Sequence, residues 1–287
     1  MVDISIVSTL YKSESYIKEF YQRSLNSTEK IFKNIEFIFV NDGSEDLSSD
    51  LVKDICNKDK RVTLIDLSRN FGHNKAIMTG LKYAKGEFIW LIDIDLEDQP
   101  EWIDSFYKKL LQYNLDVVYG VQKKRKGKFF EQITGALFYN LIVPILNLKI
   151  PKNLTTARLM TKRYCNSLLK YQERNSVLIG LQYLVGYKQD YIKVNKKFTG
   201  NSTFTFRKKI GLVIDTVTSH SSYPLEFAFY LGIFIFLIAI IFKIYLICNW
   251  LFFSNPLLGW TSLMASIWII GGLVIALLGL IGLYISK

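Results

Sequence analysis

The chain has 287 residues, a formal net charge of +11 and three cysteines; half of its residues are hydrophobic and its mean hydropathy is +0.18. That length allows one large domain or two modest ones. Cys56, Cys165 and Cys248 are far apart and odd in number, which excludes a disulfide framework or a cysteine metal site and fits a reducing compartment.

The hydropathy is unevenly spread. From Leu225 onward only Glu226, Lys243 and Lys287 are charged, which leaves 34 basic and 24 acidic residues, a net of +10, in Met1–Pro224. The sequence therefore reads as a basic domain followed by membrane segments. Anionic lipid or phosphate would be the partner of such a domain, with nucleic acid as the rival. Met1–Ser8 lacks a basic leading region and does not read as a signal peptide.

In chain order, Ile4–Leu10 is a predicted strand, followed by a turn into a helix with Ser13 or Ser15 as its cap. Ile35–Val40 is a second strand ending at Asn41-Asp-Gly-Ser44, a turn common on structural grounds alone. Val62–Leu67 is a third, leading through Ser68-Arg-Asn-Phe-Gly-His73 into a helix that runs to Ala84. Phe88–Ile92 is a fourth strand, and Asp116–Tyr119 a fifth. Strands alternating with helices predict an α/β sandwich with a largely parallel sheet, in which ligands lie at the carboxyl ends of the strands. Asp42, the Asn70 loop, Asp93 and Asp95 all fall at such ends.

The fourth strand runs straight into Asp93, Asp95, Glu97 and Asp98 before Pro100 breaks it. Carboxylates at the end of a buried strand are costly unless something positive neutralises them. Mg²⁺ or Mn²⁺, shared with a phosphate group, is one solution. A solvated acidic turn is the plainer one. Lys123, Lys124, Arg125 and Lys128 then form a basic loop, read either as solvated or as phosphate-gathering. Phe129–Ile150 reads as an interfacial helix or a core helix, and Lys193–Lys197 with Arg207–Lys209 as a juxtamembrane basic cluster. Residues of about 227–247 and 260–285 are each long enough to span a bilayer; Gly271, Gly272, Gly279 and Gly282 permit close packing of the two spans. The loop between them is uncharged and the flanks toward the amino-terminal domain are basic, which places that domain and both termini in the cytoplasm.

Three functions compete for these residues. Nucleotide-sugar transfer uses a metal at Asp95 and its neighbours, with Asp42 accepting a hydrogen bond from the base. Phosphoryl transfer by an aspartyl nucleophile suits Asp93-Ile-Asp95, but Glu97 stands where Thr or Val is expected. A non-catalytic nucleic-acid or lipid module explains the basic residues and leaves the acidic cluster unexplained. No dinucleotide or P-loop glycine signature is present.

Taken together, Tyr11 after the first strand, Val40–Ser44, Ser68–His73, Ile92–Glu101, Val118-Tyr-Gly120, Arg158-Leu-Met160, Gly200-x-Ser202 and the two spans carry a resemblance. The chain resembles family 2 glycosyltransferases of the polyprenyl-phosphate type, similar to dolichyl-phosphate mannose synthases and bactoprenol glucosyltransferases. The resemblance implies a GT-A nucleotide-sugar-binding domain over 1–210, a juxtamembrane segment over 211–224 and a transmembrane hairpin over 225–287. It implies inverting chemistry, a nucleotide-sugar donor (a UDP-hexose before a GDP-sugar), Mg²⁺ or Mn²⁺, a polyprenyl-phosphate acceptor in the bilayer, no nucleic acid, and a homo-oligomer, by precedent a tetramer. Carried over by position, Thr9, Tyr11, Glu14, Asp42, Ser44, Asn70 and Asp93 bind the nucleotide, and Asp93, Asp95 and Glu97 bind the metal. Asp95, Asp98 and Arg158 fall in the catalytic group. Gln122, Lys123, Arg125, Lys128, Lys197 and Ser202 meet the acceptor phosphate. Departures lie on the acceptor side, where Thr156, Gln122 and Thr203 replace residues usual in the family. Glu97 replaces a usual Gln. A lipid phosphate needs no general base near neutral pH, so the loss at Thr156 is tolerable; a hydroxyl acceptor would need one, and Asp98 is the nearby candidate.

Overall fold

The structure is a computed structural model that describes residues 2–123, 153–171, 178–196, 223–253 and 259–285. Arg125, Lys128, Lys197, Ser202 and the stretch Phe129–Ile150 lie outside the described residues. The described residues up to Lys196 belong to one compact unit and Tyr223–Ile285 to another.

The first unit is a seven-stranded sheet ordered β3-β2-β1-β4-β6-β5-β7 among the described residues. Its strands are β1 (Ile4–Leu10), β2 (Ile35–Asn41), β3 (Val62–Asp66), β4 (Phe88–Leu91), β5 (Val117–Gln122), β6 (Leu154–Thr161) and β7 (Gln189–Val194). Its helices are α1 (Ile17–Thr28), α2 (Ser48–Lys58), α3 (His73–Tyr83), α4 (Ile103–Gln112), α5 (Lys162–Leu168) and α6 (Leu178–Leu184). The strands bury side chains on both faces. Phe37 and Phe39 of β2 join Phe20, Val52, Trp90 and Phe106 under α1, α2 and α4. Ile38 and Val40 join Val7, Ile77, Tyr119, Met160 and Tyr164 under α3, α5 and α6. The result is a three-layer α/β/α unit.

The sheet is largely parallel, as expected, and among the described strands β6 runs antiparallel to both of its neighbours, β4 and β5. Lys193 lies in a strand the sequence did not suggest, β7, paired in register with Val121. Neither Ser13 nor Ser15 caps α1, which starts after Tyr16 with no side-chain cap. Because β6 is reversed, its amino-terminal end meets the carboxyl ends of β4, β5 and β7 along one edge of the sheet.

The second unit consists of α7 (Tyr223–Phe253) and α8 (Gly259–Ile285), both long and apolar enough to cross a membrane. Their packing depends on absent side chains. A Cβ on Gly232 would lie 2.3 Å from the Ala276 nitrogen, and one on Gly272 would lie 2.6 Å from that of Phe236. Gly279 and Gly282 also face α7, against Phe229 and Leu225, whereas nothing stands within 4 Å of a Cβ on Gly271.

One polar cluster ties α1 to the turn before β3. Asp59 Oδ2 accepts a hydrogen bond from the Tyr21 hydroxyl at 2.5 Å and from Arg61 Nη2 at 2.8 Å. Arg61, opposed by burial and aided by Tyr21, holds the Asp59 carboxyl down at about 2, below its ordinary 3.8. With the folded value depressed, this contribution is present above about pH 4 and is lost as the pH falls toward 2. Asp59→Asn should lower stability at pH 7 by about 1–2 kcal/mol and flatten the acid limb, as read from thermal unfolding of the detergent-solubilised chain across pH 2–7.

Candidate active site

The order β3-β2-β1-β4 places a topological switch point at the carboxyl ends of β1 and β4: the chain winds outward from β1 to β3, then returns to pair β4 on the other side of β1. A crevice forms at such a point because successive connections leave in opposite directions. Thr9 and Tyr11 stand at the end of β1, Asp42 at the end of β2, the Ser68–Gly72 loop after β3, and Asp93 and Asp95 after β4.

Asp42 is buried, and its two oxygens accept the backbone N–H groups of Phe71 at 2.7 Å and Gly72 at 3.0 Å. It therefore fastens the loop after β3 to the turn after β2. Gly43 allows that contact twice over. Its φ is +63°, and a Cβ there would lie 2.3 Å from the Arg69 carbonyl carbon and 2.5 Å from the Asn70 nitrogen. Asn70 thus takes part through its backbone, and its side chain is exposed.

Glu14 and Ser44 also knit loops. Glu14 Oε2 accepts the Leu47 N–H at 3.1 Å, while Asp46 Oδ2 accepts the Glu14 N–H at 3.3 Å. Ser44 Oγ receives the Lys12 N–H at 2.7 Å and donates to Asp46 Oδ1 at 2.5 Å. Tyr11 is half exposed beside them.

On the α3 face, Thr9 Oγ1 is 3.1 Å from His73 Nδ1, and His73 Nε2 is 3.6 Å from Asp93 Oδ1. His73 lies in the quoted Ser68–His73 motif but is not among the residues singled out from sequence. After β4 the chain keeps the alternation of a strand: Asp93, Asp95, Glu97 and Gln99 are partly exposed while Ile94, Leu96, Asp98 and Pro100 are buried. Asp98 thus occupies a core position. Its Oδ2 accepts the Ala157 N–H at 3.1 Å, and its Oδ1 has no hydrogen-bond partner. Burial raises its carboxyl to about 7, with Lys196 pulling it down and Asp93 and Asp95 pushing it up. Arg23 of α1 clamps the far end of the turn, 2.7 Å from Gln99 Oε1 and 2.8 Å from Glu101.

Lys196 follows β7 on the same edge of the sheet. Its Nζ lies 3.0 Å from Glu97 Oε2 and 3.8 Å from Asp98 Oδ1. Burial lowers its pKa and the carboxylates raise it; the carboxylates prevail. Sequence reasoning placed this residue only within the Lys193–Lys197 cluster. Gln122 and Lys123 end β5 on that edge too. Arg158 is on the opposite face from Ala157, 4% exposed, with its guanidinium 6.0 Å over the Tyr119 ring and its Nε without a partner among the described residues. Burial lowers its pKa from the ordinary value.

Among the described residues no three His, Cys, Asp or Glu side chains are already grouped around one point. Glu97 is engaged by Lys196, and like charges do not gather without a cation. The remaining pair suits a divalent ion. Asp95 is raised above the ordinary carboxylate value, first by burial and then by the charge of Asp93, and a cation beside the two would relieve both. Ions such as Mg²⁺ commonly take one or two carboxylates and complete their shell with phosphate oxygens and water.

The family model for glycosyl transferase family 2 matches residues 5–172. The chain belongs to that family. A Mycobacterium tuberculosis protein described as a glycosyltransferase is 42% identical over 99% of this chain and 83% of its own length. The bactoprenol glucosyl transferase of Shigella phage SfV is 30% identical over 99% of this chain and 93% of its own. Among solved structures, glucosyl-3-phosphoglycerate synthase from Mycobacterium tuberculosis, in complex with Mn²⁺, UDP-glucose and phosphoglyceric acid, aligns with a TM-score of 0.50 at 15% identity, over 76% of this chain and 78% of that one. The GT-A-type α/β fold follows, with two candidate membrane helices after it.

Asp42→Ala would leave the Phe71 and Gly72 N–H groups without their acceptor. It should cost about 2–3 kcal/mol, and hydrogen exchange at residues 69–73 should rise more than in the β-strands.

Proposed function

We propose that the protein is an inverting, membrane-anchored hexosyltransferase that moves a sugar from a nucleoside diphosphate, UDP first, to a polyprenyl phosphate such as undecaprenyl phosphate. The observation that carries this reading is the pair Asp93 and Asp95 leaving a buried strand at the switch point between β1 and β4. A diphosphate with its cation is the ligand that such a pair accommodates best. The bactoprenol glucosyl transferase named among the relatives, and α7 and α8, both of spanning length, support a lipid-borne acceptor. The basic flank before α7 favours a cytoplasmic site.

In this reading an oxygen of the acceptor phosphate attacks the anomeric carbon from the face opposite the nucleotide. The new carbon–oxygen bond forms as the bond to the diphosphate breaks, and the configuration inverts. An ionised phosphate needs no base to remove a proton. A divalent ion held by Asp93 and Asp95 would neutralise charge growing on the departing diphosphate. Thr9 and His73 orient Asp93, Asp42 fixes the loop over the nucleotide, and Tyr11 offers a ring against the base. Gln122 and Lys123, with Arg125, Lys128, Lys197 and Ser202, would gather the acceptor phosphate, and buried Arg158 adds a positive charge within the sheet.

One observation favours a second reading, transfer to a sugar hydroxyl: Asp98, which follows the Asp93 and Asp95 pair, keeps one carboxylate oxygen that receives no hydrogen bond among the described residues, and a hydroxyl acceptor needs a base. The two readings separate on acceptor. Membranes given labelled UDP-glucose and undecaprenyl phosphate should form an acid-labile, organic-extractable product. Asp95→Ala should reduce its formation by about 100-fold or more, with Asp98→Asn mild for the phosphate acceptor and severe for a hydroxyl. Equal product from Asp95→Ala and wild type, across donors, would refute the proposal.

A further inference from the structure

Four carboxylates fall within Asp93–Asp98, and a single described ammonium faces them. Lys196 does not sit evenly among the four. It is 3.0 Å from Glu97 and 3.8 Å from Asp98, whose Oδ1 is fully buried and receives no hydrogen bond. Asp93 instead faces His73, and Asp95 Oδ1 receives the Glu97 N–H at 3.0 Å.

From this geometry we infer that Lys196 is a resident cation that divides the acidic turn in two: it holds Glu97 and Asp98 for itself and leaves Asp93 and Asp95 to the ion that accompanies the donor. Lys196 is thereby a specificity-determining residue of the donor site. It limits how many carboxylates an ion can collect in the absence of nucleotide, and it keeps a positive charge beside the place where a diphosphate arrives. The inference rests on the reading of this turn as the donor site.

Both consequences follow from Coulomb's law. A fixed ammonium repels a second cation and attracts a diphosphate, and a partly buried pair is screened less than an exposed one. Removal of the charge therefore acts in opposite directions on the two ligands. Loss of folding would weaken both together.

The test uses the full-length chain in detergent, with Mn²⁺ affinity measured without nucleotide from free-ion EPR, and UDP affinity measured in EDTA by calorimetry. Lys196→Met should bind Mn²⁺ roughly threefold tighter and UDP roughly threefold weaker. Lys196→Arg should stay near wild type. Glu97→Gln removes the partner and leaves the ammonium, so the mirror image is expected: weaker Mn²⁺ binding and tighter UDP binding. Unchanged affinities in Lys196→Met, or a parallel fall in both, would overturn the inference. Should Lys196→Met fail to fold, Glu97→Gln decides alone, and a flat or parallel result there overturns it. Wild-type protein that binds no UDP with or without Mn²⁺ would instead remove the donor-site reading, and this inference with it.

Discussion

A buried strand that ends in carboxylates sets the terms for the rest of the soluble unit. β4 is apolar and central, so Asp93 and its neighbours emerge from a region of low dielectric, where unpaired charge is costly. Each surrounding element offsets part of that cost. β6 reverses direction and brings the Ala157 N–H to Asp98, β7 ends on the same edge and delivers Lys196, α1 sends Arg23 to Gln99 and Glu101, and α3 opens with His73 beside Asp93. The mixed sheet is therefore tied to the site. With β6 parallel to its neighbours, its other end would lie at this edge, and the Asp98 carboxyl would lose its backbone donor.

The carboxylates at the strand ends fall into two kinds, and hydrogen bonding separates them. Asp42 and Asp46 have both oxygens engaged and Glu14 has one, each accepting backbone N–H groups from other loops. They fix the shape of the crevice. A carboxylate oxygen has lone pairs left after one such bond, so Asp42 remains able to meet a base while it holds its loop. Among the described residues Asp93 faces an imidazole, and Asp95 accepts the N–H two residues on. Most of their acceptor capacity is not taken up by these contacts. Position in sequence does not reveal the distinction, since every one of these residues follows a strand.

Legibility in the sequence followed from how many faces an element buries and how far its contacts reach. β1 to β4 are apolar runs closed by turn residues, and their ends needed no structure to be located within a residue or two, whereas β5 runs three residues past its expected end at Tyr119. β6 was missed because Leu154-Thr-Thr-Ala-Arg-Leu-Met-Thr161 shows neither alternation nor an apolar run; Thr155 and Arg158 are buried in it. Asp98 carried a usable signal: in the period-2 pattern from Ile92 to Pro100 it takes an apolar position. Lys196 carried none. Its importance comes from a parallel pairing of β5 with β7, between segments some seventy residues apart, and nothing local distinguishes it from Lys193 or Lys197. The same holds for Glu14, whose partner at Leu47 is set by two loops meeting.

The hairpin obeys a different rule. In lipid, apolar side chains gain nothing by leaving one apolar surroundings for another, so association relies on close backbone approach and packing. Gly232, Ala239 and Leu246 recur every seven residues on α7 and are buried, and Ala265, Gly272, Ala276 and Gly279 do the same work on α8. A seven-residue seam holds two helices at a shallow left-handed crossing. Glycine count alone is a poor guide to that seam: Gly271 and Gly272 are adjacent, yet one faces open space and the other meets the Phe236 nitrogen. At 1.5 Å per residue, the 31 residues of α7 extend about 46 Å, well beyond a hydrocarbon core of about 30 Å.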